Sequence, residues 1–83
     1  AAYFWYLHAA RQGHARAQFN LGLMHATGQG AVPDLVQALT WLQQAEHAGV
    51  VAATRYVKST AARMNPAQLA QAQCLAVGAA RAA

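Results

Sequence analysis

An internal repeat with a period of 36 residues is the feature that most constrains the fold of this chain. At this offset Trp5 aligns with Trp41, and Gly13 aligns with Gly49. Three alanine pairs keep the same register, namely Ala2 with Ala38, Ala9 with Ala45, and Ala17 with Ala53. A unit of this length fits two helices joined by a turn, and such units bury their apolar faces by stacking. The repeat therefore predicts a stack of helix pairs.

The composition favours helix along the whole chain. Twenty-three of the 83 residues are alanine, which has the highest intrinsic helix propensity. No segment alternates apolar and polar residues in the way that a half-buried strand does. We therefore expect an all-α fold of about five helices.

Turn-forming residues set the boundaries of these helices. Gly13 and Gly49 stand where a residue in the left-handed conformation ends a helix, and the carboxylate of Asp34 is suited to cap the helix that follows it. Asn65 and Pro66 are typical of a helix cap and a first helical position. The predicted helices cover residues 2–12, 15–27, 35–48 and 51–64, and a fifth begins at residue 66.

Four consecutive aromatic residues, from Tyr3 to Tyr6, point around most of the first predicted helix. Trp5 and Tyr6 are expected on the face that packs within the repeat. Tyr3 and Phe4 then either pack on a preceding helix or form an exposed contact patch at the N-terminal end, and the sequence leaves both alternatives open. Because large exposed aromatic side chains are typical of contact sites, Tyr3 and Phe4 are candidate partner-binding residues.

The stretch from residue 15 to residue 49 resembles the Sel1-like repeat, a member of the tetratricopeptide-like superfamily. This family has a characteristic order of alanines, glycines, an aspartate and a tryptophan along a helix pair. The positions that match it are Ala17, Leu21-Gly22, Met24-His25, Gly28-Gln29-Gly30, Asp34, Ala38, Trp41, Ala45 and Gly49. One whole unit is covered by the resemblance.

The last part of the chain, residues 51–76, resembles the cap that often ends such arrays. The likeness is carried by two pairs, Asn65-Pro66 and Ala72-Gln73. The chain departs from the family pattern at three positions, with His25 in place of tyrosine, Glu46 in place of alanine and Lys58 in place of glycine. We expect His25 to pack where the aromatic ring would be, and Lys58 to keep a further unit from packing closely.

The resemblance implies a single domain over residues 1–83, built as a short right-handed α/α solenoid of antiparallel helix pairs. Residues 1–13 would be the second helix of a truncated unit, residues 14–49 a complete unit, and residues 50–83 an incomplete unit with a C-terminal capping helix. The resemblance also implies an adaptor or scaffold for protein–protein contacts, with no catalytic residue and no cofactor.

In solenoids of this superfamily the first helix of each pair lines the concave side, and the sequence suggests which residues lie there. They recur at helical spacing on the second predicted helix and, 36 residues later, on the fourth. These concave-face candidates are Arg16, Asn20, Leu23, Thr27, Tyr56, Ser59 and Arg63. Two cations with an amide and an aromatic ring suit an acidic or C-terminal peptide segment of a partner protein. The alternative is an ordinary solvated face.

Other functions are compatible with the sequence. Two repeat units are fewer than the three or so that usually give stability, so the chain is expected to join a homo-oligomer or a larger complex. A non-catalytic accessory subunit of an enzyme complex is therefore an alternative. The net charge of +4 also allows nucleic-acid binding, through Arg16, Arg55, Lys58 and Arg63, but this is disfavoured because no basic residues are adjacent.

The sequence offers few candidates for a metal site, a catalytic site or a nucleotide-binding loop. No two of the four histidines, His8, His14, His25 and His47, have the i, i+4 spacing that favours a shared metal ion. The two carboxylates, Asp34 and Glu46, lie about 18 Å apart if joined by one helix, too far for a paired acid and base. Gly28-Gln29-Gly30 lacks the third glycine of a dinucleotide-binding loop. We expect no metal site, and we expect Cys74 to be a small buried apolar residue.

Membrane insertion is not predicted. No apolar segment approaches the roughly 20 residues that span a bilayer. The first apolar stretch does not have the charged region in front of it that a signal peptide has. The sequence does not predict a compartment.

Overall fold

Five helices follow one another in the computed structural model, which describes the backbone of residues 2–82 and the side chains of residues 2–74. Their bounds are α1 (Ala2–Arg11), α2 (Ala15–Thr27), α3 (Leu35–His47), α4 (Val51–Ala62) and α5 (Pro66–Ala82). No strand occurs in the described part of the backbone. The predicted all-α fold of about five helices is confirmed.

Side-chain caps begin two of the helices. The carboxylate of Asp34 accepts the backbone N–H groups of Val36 and Gln37 at 3.0 and 3.1 Å. At α5, Asn65 Oδ1 accepts the N–H of Gln68 at 2.8 Å, and Gln68 Oε1 accepts the N–H of Asn65 at 3.0 Å. This reciprocal pair is a capping box. Both predicted helix starts are confirmed.

The turns that end α1 and α3 use equivalent glycines of the repeat. Gly13 has φ of 91° and Gly49 has φ of 104°. These values lie in the left-handed region, which a residue with a β-carbon enters only with strain. The two turns therefore have a local cause that the sequence already contains.

Two clusters of buried apolar residues occur in the described part of the chain, because α2 packs on α1 and α3, and α3 also packs on α4 and α5. The first cluster joins the start of the chain to α2 and α3 and contains Ala10, Ala17 and Leu21 with Tyr3, Tyr6, Leu7, Ala9 and Trp41 around them. The second joins α3 to the last two helices and contains Val36, Leu39, Met64 and Ala72 with Leu35, Val57, Ala61 and Leu69 around them.

The two repeat-related tryptophans differ in their surroundings. Trp41 is half-buried against the first cluster, whereas 68% of Trp5 is exposed. The expectation that Trp5 packs within the repeat is wrong. Trp41 packs on α1 and α2, whereas neither buried cluster of the described residues includes Trp5. Tyr6, its neighbour, does pack against the first cluster.

The expectation of a buried Cys74 is also wrong, because its side chain is exposed. α5 turns Leu69 and Ala72 toward α3. Cys74 follows Ala72 by two residues, which is about 200° around a helix, so it faces away from that contact. Two other residues expected on the apolar face of α5, Leu75 and Ala76, lie outside the residues whose side chains the structure describes.

Candidate partner-binding surface

A groove between α1 and α2 brings one set of predicted residues together with aromatic side chains. Its volume is about 410 Å³. We call it the α1–α2 groove, and it is lined by Trp5, Tyr6, Ala9, His14, Arg16, Ala17 and Asn20. Two of the concave-face candidates, Arg16 and Asn20, form part of its wall because they lie one turn apart on the same face of α2.

A second groove continues along α2 toward α4. It has a volume of about 370 Å³ and is lined by Tyr6, Asn20, Leu23, Met24, Thr27, Gln29 and Tyr56. The two grooves share Tyr6 and Asn20, so they are neighbouring parts of one surface. Five of the seven concave-face candidates therefore line this surface.

The other two candidates, Ser59 near the end of α4 and Arg63 at its C-cap, line neither groove. Both Ser59 and Arg63 are exposed. Arg63 Nη1 donates a hydrogen bond of 3.3 Å to the carbonyl oxygen of Ala26, near the end of α2. Arg63 thus connects α4 to α2, and its guanidinium is held beside the residue that precedes Thr27.

A third groove lies where α2 and α4 run side by side. Its volume is about 460 Å³ and its lining residues are Phe19, Val51, Ala52, Arg55 and Tyr56. The rings of Phe19 and Tyr56 meet edge to face with centroids 5.5 Å apart, so these two residues form a contact between α2 and α4. Because Tyr56 belongs to both the second and third grooves, the surface is continuous from α1 to α4.

Positive charge lies near the starts of α2 and α4. The exposed Arg16 and Arg55 occupy the early turns of these helices, and neither first turn contains an acidic residue. The N-cap residues His14 and Val50 make no capping hydrogen bond through their side chains. The positive ends of both helix dipoles therefore add to the charge of the two guanidinium groups.

Sequence reasoning missed the aromatic side of this surface. Trp5, Tyr6 and Phe19 line the grooves although none was a concave-face candidate. The rings of Trp5 and Tyr6 meet edge to face at 5.3 Å. Their consecutive aromatic positions were the available signal, but the side of α1 that borders α2 depends on helix packing. The complete arrangement can hold apolar side chains on its rings and carboxylates at its arginines.

A comparison with models of known protein families shows to which family the chain belongs. The family model of the Sel1 repeat matches residues 1–14 and 15–50. The chain belongs to the Sel1 repeat family. Sel1 repeats are generally protein–protein interaction modules and are a non-catalytic type of repeat. A search of curated proteins finds no significant match.

One residue at which the chain departs from the Sel1 pattern is buried. His25, in place of the usual tyrosine, is 7% exposed, and its Nδ1 lies 3.1 Å from the carbonyl oxygen of Val32. Since a carbonyl only accepts, Nδ1 carries the proton and donates. The Tyr3 ring meets the His25 ring edge to face at 5.6 Å. The prediction that His25 packs in the place of an aromatic residue is confirmed.

The two candidates for an N-terminal contact patch have different environments in this Sel1 repeat. Tyr3 is half-buried against the first cluster and His25, whereas 70% of Phe4 is exposed. The two rings meet edge to face at 5.5 Å. Phe4 is therefore the residue that offers an apolar surface at this end of α1, with Tyr3 behind it.

The described residues bear on metal ligation, the glycine-rich turn and membrane insertion. In the part of the Sel1 repeat chain that the structure describes, no three His, Cys, Asp or Glu side chains lie together as metal ligands would. Gly28-Gln29-Gly30 follows α2 and leads to α3, so it is a helix-to-helix turn, as expected. None of the described helices is both long and apolar enough to cross a membrane.

Proposed function

We propose that this Sel1 repeat domain binds an acidic segment of a partner protein on the surface formed by the three grooves. Two adjoining grooves that share Tyr6 and Asn20 carry this proposal. The surface continues along α2 as far as Tyr56, so an extended peptide would lie along this helix. The proposed partner-binding residues that line this surface are Arg16, Asn20, Leu23, Thr27 and Tyr56. Ser59 and Arg63, which are exposed but line none of the three grooves, complete the proposed set.

Charge supports an acidic partner. The chain has six Lys and Arg residues against two carboxylates. One carboxylate, Asp34, is used as a helix cap, and neither lines any of the three grooves. A carboxylate of the partner that pairs with the exposed Arg16 or Arg55 forms a charge-assisted hydrogen bond, which contributes about 0.2–1 kcal/mol at a solvent-exposed site. Aromatic surface at Tyr6 and Tyr56 supplies the apolar part of the contact.

The experiment starts with affinity capture from lysate to identify partners, followed by binding measurements on the purified pair. Arg16→Glu and Tyr56→Ala should each weaken binding at least about tenfold, since charge reversal and loss of a central ring remove main contacts. Arg11→Glu is the matched control, because Arg11 is exposed on α1 and lines none of the grooves. Its binding should be close to that of the parent.

Two other results would overturn the proposal. A partner whose affinity is unchanged by Arg16→Glu and Tyr56→Ala, but lost in Phe4→Ala, would place the contact at the N-terminal end. If that partner were an enzyme present in a fixed ratio, the domain would be an accessory subunit. Capture of nucleic acid, with an affinity that falls steeply with salt and depends on Arg55 and Lys58, would indicate phosphate binding instead.

A further inference from the structure

We propose that Ser59 is a phosphorylation site, and that a phosphate held there between Arg55 and Arg63 turns off the binding of the acidic partner segment. The inference rests on the proposed function, because it regulates the same surface. A protein kinase transfers the γ-phosphoryl group of a nucleoside triphosphate to Ser59 Oγ. The Oγ–P bond forms, the bond from the γ-phosphorus to the leaving nucleoside diphosphate oxygen breaks, and the hydroxyl proton passes to the base of the kinase.

Ser59 differs from the serine and threonine hydroxyl groups elsewhere in the chain in its accessibility. Thr40 and Thr60 are buried, and Thr54 is half-buried. Thr27 is exposed, but its hydroxyl donates to a backbone carbonyl oxygen at 2.9 Å. Because Ser59 is exposed on α4, solvent and a modifying enzyme can reach its Oγ.

Two arginines flank Ser59 along one face of α4. Arg55 precedes Ser59 by four residues and Arg63 follows it by four, so the three side chains follow one another over about 12 Å of the helix. Both arginines are exposed. Arg63 is the C-cap of α4 and keeps helical backbone angles, with φ of −88° and ψ of −8°, so the spacing extends to it. A phosphate on Ser59 therefore lies one turn from each guanidinium group.

The direction of the side chains suits this pairing. Side chains in a helix lean toward its N-terminus, so Arg63 covers the turn that contains Ser59, and an acid four residues before a base is the favoured order. Arg63 Nη1 donates to the carbonyl oxygen of Ala26 at 3.3 Å, which leaves four of its N–H donors for phosphate oxygens. The two arginines offset the unfavourable effect of a negative charge near the C-terminal end of α4. The helix is therefore expected to persist.

The phosphate changes the charge that an acidic partner meets. It carries about −1.5 to −2 charges at pH 7, which cancel the two guanidinium charges of Arg55 and Arg63. The chain has two carboxylates and neither lines any of the three grooves, so the phosphate introduces negative charge beside a surface that lacks it. Like charges across an interface weaken binding. The phosphorylated chain should bind the acidic segment at least about tenfold more weakly.

Local opening of α4 gives the kinase access to the backbone around Ser59. The N-cap residue Val50 makes no capping hydrogen bond through its side chain, and Val51 is 86% exposed. Two residues of α4, Ala53 and Thr60, are buried. Segments with few buried contacts open most readily, so α4 can present Ser59 without unfolding of the other helices.

The first experiment locates the phosphate. The whole chain is isolated from its own cells with phosphatase inhibitors, and mass spectrometry of its fragments should place one phosphoryl group on Ser59. Ser59→Ala should remove this group, whereas Thr27→Val, the matched change at the other exposed aliphatic hydroxyl, should keep it. A chain without phosphate on Ser59 in growing and starved cells alike overturns the inference, and so does a phosphate found on Thr27 instead.

The second experiment measures the effect on binding. A chain with phosphoserine inserted at position 59 during synthesis and the unmodified chain are both titrated with a blocked hexapeptide of alternating glutamate and leucine. Phosphoserine should weaken binding at least about tenfold, with unchanged helical circular dichroism. It should also shift the side-chain Nε–H signals of Arg55 and Arg63 but not that of Arg11, which is exposed on α1.

The outcomes separate this inference from the proposed function. Binding that depends on Arg16 but is equal in the two forms overturns the phosphate switch and leaves the proposed function standing. If the unmodified chain shows no binding that depends on Arg16, the proposed function fails, and the switch is overturned with it.

Discussion

Gly22 on α2 lies so close to Leu42 on α3 that a β-carbon at the glycine would stand 2.7 Å from the leucine Cγ. The carbonyl oxygen of Ala38 would be 3.1 Å from the same atom. Leu42 is fully buried, so it has little room to move. The glycine of the complete repeat thus has a packing role, in that it lets its two helices approach.

Gly22→Ala should lower the free energy of unfolding by about 1–3 kcal/mol, because extra atoms in a packed contact force neighbouring groups apart. This is opposite to the effect of helix propensity, which favours alanine by about 1 kcal/mol. Chemical denaturation followed by circular dichroism measures the difference. The repeat-equivalent control is Lys58→Ala, at an exposed position of α4, which should change stability by less than about 0.5 kcal/mol. A Gly22→Ala protein as stable as its parent would contradict the packing argument.

His25 should contribute to stability through both its ring and its proton. His25→Phe keeps an aromatic edge near Tyr3 but leaves the carbonyl of Val32 without its donor, which should cost about 1–2 kcal/mol. His25→Ala also leaves a cavity and should cost more, about 2–4 kcal/mol. The same denaturation experiment ranks the variants, with the exposed His47→Ala as the control. If phenylalanine and histidine gave equal stability, the hydrogen bond would contribute nothing.

Gln18 is a buried polar residue that we expect to be replaceable. Its Nε2 donates to the carbonyl of Ala10 at 3.2 Å, while its Oε1 has no partner. The Ala10 carbonyl also accepts the N–H of Gly13, so it keeps a partner when Gln18 is changed. Gln18→Met preserves the length of the side chain and should leave stability equal or raise it by up to about 1 kcal/mol, since the unpaired oxygen is removed. Gln18→Ala should lower it, and thermal melting distinguishes the three proteins. A clear loss of stability in the methionine variant would show that the hydrogen bond from the Gln18 side chain to Ala10 in α1 contributes more than the unpaired oxygen costs.

The exposed Cys74 should be accessible in the folded protein. A thiol reagent such as dithionitrobenzoate should therefore label it in the absence of denaturant, to about one equivalent per chain, as the chain has a single cysteine. The measurement is the absorbance of the thionitrobenzoate that the reaction releases, compared with and without denaturant. Labelling that requires denaturant would place the thiol inside the protein. The helical circular dichroism should be the same before and after labelling.

The sequence by itself determined the helices, their order and most of their ends. Caps such as Asp34 and Asn65 and turns such as Gly13 act over a few residues, so their signals are present in the local sequence. The repeat and its family resemblance are also local patterns, and the match to the Sel1 family confirms them. Five of the seven concave-face candidates line the grooves, and four of them lie along one face of α2, because helical spacing within one helix is a local pattern.

Only the tertiary structure decided which apolar residues are buried. Trp5 and Trp41 occupy equivalent repeat positions, yet one is exposed and the other packs on α1 and α2. Cys74 and Ala72 lie on one alanine-rich helix, and only the one that faces α3 is buried. Burial depends on what lies opposite a residue, and helical periodicity gives only the direction of a side chain. The same reason applies to the α1–α2 groove. Its two walls come from different helices, so the sequence alone could not predict it.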